Sequence, residues 1–109
     1  MKLQVHSIHF DADKKLVGYI QKKVNKLETF YDRLVGGEIF LRLNNEGIEN
    51  KTVEIEVKLP GTRLFAVEKA RSFEAATDVA TDALRMQLKK FKNKTRNKKS
   101  VKLPEPENT

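Results

Sequence analysis

Apolar and polar residues alternate from the start of the chain. Over residues 1–10, Leu3 and Val5 interleave with Lys2, Gln4 and His6, the two-residue period of a half-buried strand. Residues 11–13 close that strand, and Asp13 suits a helix N-cap because its carboxylate can accept from the free amides of the next turn. A helix over about residues 14–31 follows, with Leu16, Ile20, Val24, Leu27 and Tyr31 recurring every three or four positions and Val17 and Phe30 flanking them. Gly18 weakens it by about 1 kcal/mol relative to Ala, which so long an apolar face overrides. Gly36-Gly37 reads as the helix exit, where glycine tolerates a left-handed backbone.

Three strands come next. Residues 38–43 put Ile39, Leu41 and Leu43 on one face. After the polar loop 44–51, residues 52–59 alternate cleanly, with Val53, Ile55, Val57 and Leu59 inward and Glu54, Glu56 and Lys58 outward. Pro60-Gly61 predicts a tight turn. Residues 62–70 carry apolar side chains on both faces, Leu64 and Ala66 against Phe65 and Val67, so the pattern does not choose between them. A last helix begins after Ser72, a second N-cap candidate, with Phe73, Ala76, Ala80, Ala83, Leu84, Gln87 and Phe91 on one side, and ends near residue 93 or 96. Residues 97–109 have no periodicity and read as a disordered tail, basic and then acidic.

Two amphipathic helices need an apolar surface to cover, and one face of a sheet supplies it. The order β-α-β-β-β-α therefore predicts an α+β fold, a two-layer sandwich of two helices on one face of an antiparallel sheet. The opposite face would present Gln4, His6, Phe40, Arg42, Glu54, Glu56 and Lys58 to water. The domain spans residues 1–96.

Length and composition narrow the function classes. At 109 residues the chain suits one domain. It has no Cys, hence no disulfide framework and no thiolate zinc site. No apolar run approaches the roughly 20 residues of a membrane span, and the N-terminus lacks a signal-peptide core, so a cytoplasmic protein is expected.

Charge is unevenly placed. Residues 1–84 hold 13 basic and 13 acidic side chains, whereas residues 85–102 hold nine basic ones and no acid. A localised basic block implies a polyanionic partner. At about 100° per residue, Arg85, Lys89, Lys92 and Arg96 share one stripe of the last helix. On the first helix, Lys15, Lys22 and Lys26 share a flank and Lys23 lies nearer the core. If the helices pack side by side, both sets line one surface. Such an array suits the repeated phosphates of a nucleic acid, and it is favoured over a merely solvated lysine face. An acidic membrane would want bulkier apolar residues on the other face of the helix.

Other constellations read as structural. His6 and His9 do not share a strand face and lack a third ligand for zinc. Asp11 and Asp13 could hold a cation, but a cap accounts for Asp13. Glu54 and Glu56 are expected to face water. Phe40, Phe65 and Tyr19 could stack bases, though no aromatic run of the RNA-binding sheet type is present. No phosphate-binding glycine loop or nucleophile elbow occurs, so neither an enzyme nor a cofactor is expected.

Two segments carry a resemblance. The first helix closes with Lys26-Leu27-Glu28-Thr29-Phe30-Tyr31-Asp32-Arg33. The last contains Ala75-Ala76-Thr77-Asp78, Asp82-Ala83-Leu84 and then Gln87-Leu88-Lys89-Lys90-Phe91-Lys92-Asn93-Lys94. In this order and separation, over about residues 1–96, the chain resembles the ribosome hibernation promoting factor family, also called sigma-54 modulation or ribosome-associated inhibitor proteins. The resemblance implies a double-stranded-RNA-binding-domain-like fold with a four-stranded sheet. It implies binding to the small ribosomal subunit in the channel of mRNA and the A- and P-site tRNAs, with inhibition of translation in bacterial stationary phase or stress. Family rRNA contacts map onto Lys23, Lys26, Lys90, Lys92 and Lys94; the stripe and flank add Lys22, Arg85, Lys89 and Arg96. Met86 stands where many members carry Arg, and Arg85 comes one position earlier, which rotates that charge by about 100°.

A chain of this length is expected to be a short member, without the second domain by which long members pair ribosomes. It would then act beside a separate ribosome-dimerising factor or keep ribosomes idle singly. The alternatives are a general double-stranded nucleic-acid binder, and a protein-interaction module that modulates a transcription factor. No membrane and no small-molecule substrate is expected as a partner.

Overall fold

The computed structural model describes residues 1–100, with side chains as far as Lys94. The elements are β1 (Lys2–Ile8), α1 (Lys14–Asn25), a 3-10 turn (Lys26–Thr29), β2 (Gly36–Leu43), β3 (Lys51–Leu59), β4 (Thr62–Ala70) and α2 (Phe73–Ser100). The strands form one sheet in the order β1-β2-β3-β4. β1 pairs parallel with β2, while β2–β3 and β3–β4 are antiparallel. The fold is the expected α+β sandwich, but its sheet is mixed. α1 sits between β1 and β2 in the chain and acts as a crossover, and a crossover returns the chain parallel to itself.

The helix-facing side of the sheet is the core. Ile39, Leu41, Val53, Ile55 and Val57 are fully buried, together with Ile20 and Val24 of α1 and Ala76, Ala80 and Leu84 of α2. Each Val, Leu or Ile side chain among them contributes roughly 1.5–3 kcal/mol by leaving water. The register settles the ambiguous fourth strand. Ala66 lies opposite Ile55 and is buried, whereas Phe65 and Val67 lie opposite Glu56 and Glu54 and stay half-exposed on the outer face. On α2, Leu88 joins the core, while Gln87 turns to the sheet edge and donates to the Phe65 carbonyl (2.8 Å). Thr77 and Thr81 are also buried, and each hydroxyl donates to the carbonyl four residues back, at 2.7 and 2.9 Å.

Both expected caps form. The Asp13 carboxylate accepts from the Leu16 amide (2.8 Å) and the Ser72 hydroxyl from the Ala75 amide (3.0 Å). The first helix differs from expectation at its end. Its α-helical part stops at Asn25 and a tighter 3-10 turn carries the stripe on to Leu27, which is buried. Gly36 and Gly37 are therefore not a helix exit but the first residues of β2. Neighbouring strands crowd both positions: a Cβ on Gly36 would lie 2.9 Å from the Lys2 carbonyl oxygen, and one on Gly37 would lie 2.8 Å from that of Glu56. Gly61 does adopt the positive φ (+81°) that the turn after Pro60 requires. α2 continues to Ser100, beyond the expected end near residue 93 or 96. The remainder of the expected tail, residues 101–109, lies outside the described residues.

The outer face carries the expected polar residues beside the half-exposed Phe65 and Val67, and its carboxylates are held. Arg42 donates to Glu54 and Arg63 to Glu56, both at 2.8 Å, which leaves the Glu56 side chain only 12% exposed. His6 stacks on Phe40 (4.8 Å between centroids).

Two glycine substitutions separate crowding from propensity. Gly37→Ala is expected to destabilise the fold by about 1–3 kcal/mol, since the clash is with backbone. Gly18→Ala, in open space on α1, should stabilise it by about 1 kcal/mol. Chemical denaturation monitored by circular dichroism measures both.

Candidate nucleic-acid interface

α1 and α2 lie side by side on the core face of the sheet, and α2 packs over β3 and β4. Their apolar stripes point down, so their polar flanks meet above the core. The contacts at this joint are specific. The Tyr19 hydroxyl of α1 donates to the Asp78 carboxylate of α2 (2.7 Å), and Lys23 Nζ lies 3.3 Å from the same oxygen. Further along, Tyr31 meets Phe91 edge to face (5.7 Å) and Lys92 Nζ donates to the Phe30 carbonyl (3.1 Å). The hydrogen bond to Asp78 raises the pKa of Tyr19 above the usual phenol value, helped by desolvation and by the negative charges of Asp78 and Glu74.

Between these two clamps lies an open cleft of about 210 Å³, lined by Lys23, Lys26, Leu27, Phe30, Thr81, Asp82 and Arg85. The Arg85 guanidinium carbon stands 5.7 Å above the centre of the Phe30 ring, and its Nη2 is 3.8 Å from Asp82. Three of the anticipated cations, Lys23, Lys26 and Arg85, thus converge from two elements on one concavity, and Lys92 spans to its rim. Lys22 and Lys89 are exposed. Each is four residues from a cleft cation, so each continues the same surface about 40° around its helix. Lys90 and Lys94 do not join them. Five and nine residues beyond Arg85, they project about 140° and 180° away from it around α2. The side chain of Arg96 lies outside the described residues.

The sequence reading passed over the anionic and aromatic members. Asp78 and Asp82 entered it only as members of the motif along the last helix, and Phe30 as a flank of the apolar stripe. Their signal was the spacing Asp78, Asp82, Arg85 along one side of α2 opposite Lys23 and Lys26. Neither histidine has a site-like setting: His9 is an exposed turn residue at φ 66°, and His6 is stacked under the sheet. Among the described residues no three His, Cys, Asp or Glu side chains gather as a metal site would require, and no helix is long and apolar enough to cross a membrane.

Comparison with known proteins bears on the family and the fold. Residues 3–96 match the family described as sigma 54 modulation protein / S30EA ribosomal protein. Over 107 residues the chain is 30% identical to the ribosome hibernation promotion factor of Deinococcus radiodurans, covering 94% of this chain and 55% of that protein. It is 27% identical over 94 residues to the ribosome hibernation promoting factor of Pseudomonas putida, covering 86% of this chain and 89% of the relative. The chain thus spans about half the length of the first relative and most of the second. Among solved structures, a ribosomal subunit interface protein from Coxiella burnetii superposes with a TM-score of 0.77 at 25% identity, over 85% of this chain and 99% of that one. The N-terminal domain of Thermus thermophilus Protein Y gives 0.73 at 26% identity, over 84% and 99%.

The Tyr19 bond offers a direct test of the joint. A phenol whose folded pKa is raised adds stability that is fully present below its unfolded value near 10 and is lost as pH rises through the folded value. Tyr19→Phe should cost about 1 kcal/mol at neutral pH, and the difference from the parent protein should shrink under strongly alkaline conditions. Denaturation midpoints of the two proteins across that range check this.

Proposed function

Because the chain belongs to the sigma 54 modulation protein / S30EA ribosomal protein family, we propose that it is a ribosome hibernation factor. In this reading it binds the small ribosomal subunit in the channel that holds mRNA and the A- and P-site tRNAs. Its bulk then excludes those ligands and translation stops in stationary phase or stress. The observation that carries the proposal is the convergence of Lys23, Lys26, Arg85 and Lys92 along the joint between α1 and α2, on a fold shared with a ribosomal subunit interface protein.

The chemistry of attachment follows from charge. Lysine and arginine side chains spaced along the two helices neutralise successive rRNA phosphates and release their condensed counterions. Attraction of this kind supplies affinity and fast encounter but little sequence information. Selectivity for one ribosomal site then rests on the shape of the helical layer, whose rigidity comes from its seat on the sheet. Lys90 and Lys94, which point away from the cleft, extend the contact to a second side of α2. The protein needs no bound cofactor for this role.

Reversing Lys89, Lys90 and Lys92 to Glu tests the mechanism. All three are exposed, so the far-ultraviolet spectrum should be retained. The parent protein is expected to sediment with the isolated small subunit through a sucrose gradient, even at moderate salt and with a free RNA duplex as competitor. The triple variant should not, and its residual binding should show a salt slope lower by about 3. Binding kept by the variant would sink the mechanism; loss of the parent's binding to the duplex would leave a general nucleic-acid binder.

A further inference from the structure

We propose that the cleft between α1 and α2 is a nucleotide subsite that takes one unstacked guanine of single-stranded or looped RNA. The inference rests on the RNA-binding reading of this face and adds to it a base-reading function. A surface that only neutralises phosphates needs cations and no acid. This cleft holds Asp82 among its cations, with a side chain 73% exposed and only 3.8 Å from Arg85. A carboxylate there repels phosphate, yet it is the right acceptor for the amino edge of a base.

The stacking surface is already assembled. Arg85 lies over Phe30, which is 44% exposed. The Phe30 backbone is held on both sides, its amide donating to the Leu27 carbonyl (3.0 Å) and its own carbonyl accepting from Lys92. The Arg85 guanidinium lies 5.7 Å from the centre of the half-exposed Phe30 ring, and unstacked bases settle on guanidinium and aromatic planes. A base inside a duplex has no free face to offer, so the occupant must be single-stranded or bulged.

Guanine fits the remaining group best. Its N1–H and N2–H donors sit side by side and match the two oxygens of the Asp82 carboxylate. Adenine and cytosine offer one amino group on that edge. Uracil offers one N–H between two carbonyls, which the carboxylate repels. Lys26, exposed on the same wall, is placed for the phosphate of that nucleotide.

Fluorescence anisotropy with labelled RNA heptamers tests this, using a uridine heptamer and the same strand with one central guanine. The parent protein should bind the guanine strand roughly tenfold more tightly. Asp82→Asn should weaken the guanine strand while leaving the uridine strand equal or tighter, since a negative charge has gone. Phe30→Ala, at an exposed ring, should bring the guanine strand down to the level of the uridine strand. Equal gains for both strands in Asp82→Asn would mean that the acid is only a counter-charge, and would overturn the subsite. So would the absence of any preference, or of any heptamer binding, in a parent protein that still sediments with the small subunit; the hibernation reading would survive that result. A guanine preference without subunit binding would have the reverse meaning: the cleft's assignment would stand and the ribosomal reading would fall.

Discussion

The apolar face of the sheet constrains everything else. Ile39, Leu41, Val53, Ile55, Val57 and Ala66 line one side of β2, β3 and β4, and the other side is closed to the helices by Arg42–Glu54 and Arg63–Glu56 pairs. Both helices must therefore cover the same face. Two helices on one four-stranded sheet have to lie next to each other, and their upper flanks are brought into contact whatever residues stand there. The proposed interface is a by-product of that packing, with exposed cations standing above the buried Leu27 and Thr81.

What stands on α2 is not a uniform basic patch, because acids precede the cations. Along α2, Glu74, Asp78 and Asp82 come first, and Arg85, Lys89, Lys90, Lys92 and Lys94 follow them. Asp78 holds Tyr19 and Lys23 and fixes the spacing of the helices near the start of α2. Lys92 and the Tyr31–Phe91 contact fix it further along. The cleft lies between these clamps. Exposed ion pairs of this type add little stability, commonly under about 1 kcal/mol each. Their effect is geometric: they hold long cationic side chains over one concavity and limit the freedom those chains would lose on meeting RNA.

Particular elements explain where sequence reasoning worked. Strict alternation in β3 and the three-and-four spacing of Ile20, Val24 and Leu27 are local consequences of backbone geometry, so element types and core residues were legible. Gly36-Gly37 was not, because its glycines answer to the strands on either side of them and not to the helix before them. The 3-10 turn at Lys26–Thr29 was hidden for a related reason: its apolar residues keep the helical spacing closely enough that Leu27 still reaches the core. In β4 both faces carry apolar side chains, and only pairing with β3 selects Ala66 over Phe65 and Val67.

By itself the sequence determined the α+β class, both helix caps, the Pro60-Gly61 turn and the location of the surplus charge, since each depends on neighbours within a few residues. It also carried the family resemblance through the motifs that close the first helix and run along the last. Only the tertiary structure decided that β1 runs parallel to β2, that Lys23, Lys26 and Arg85 share one cleft while Lys90 and Lys94 point elsewhere, and that Phe30 and Asp82 belong to that cleft. These depend on contacts between residues up to about sixty positions apart. Periodicity along one element records which of its faces is apolar, but not which face of another element it will meet.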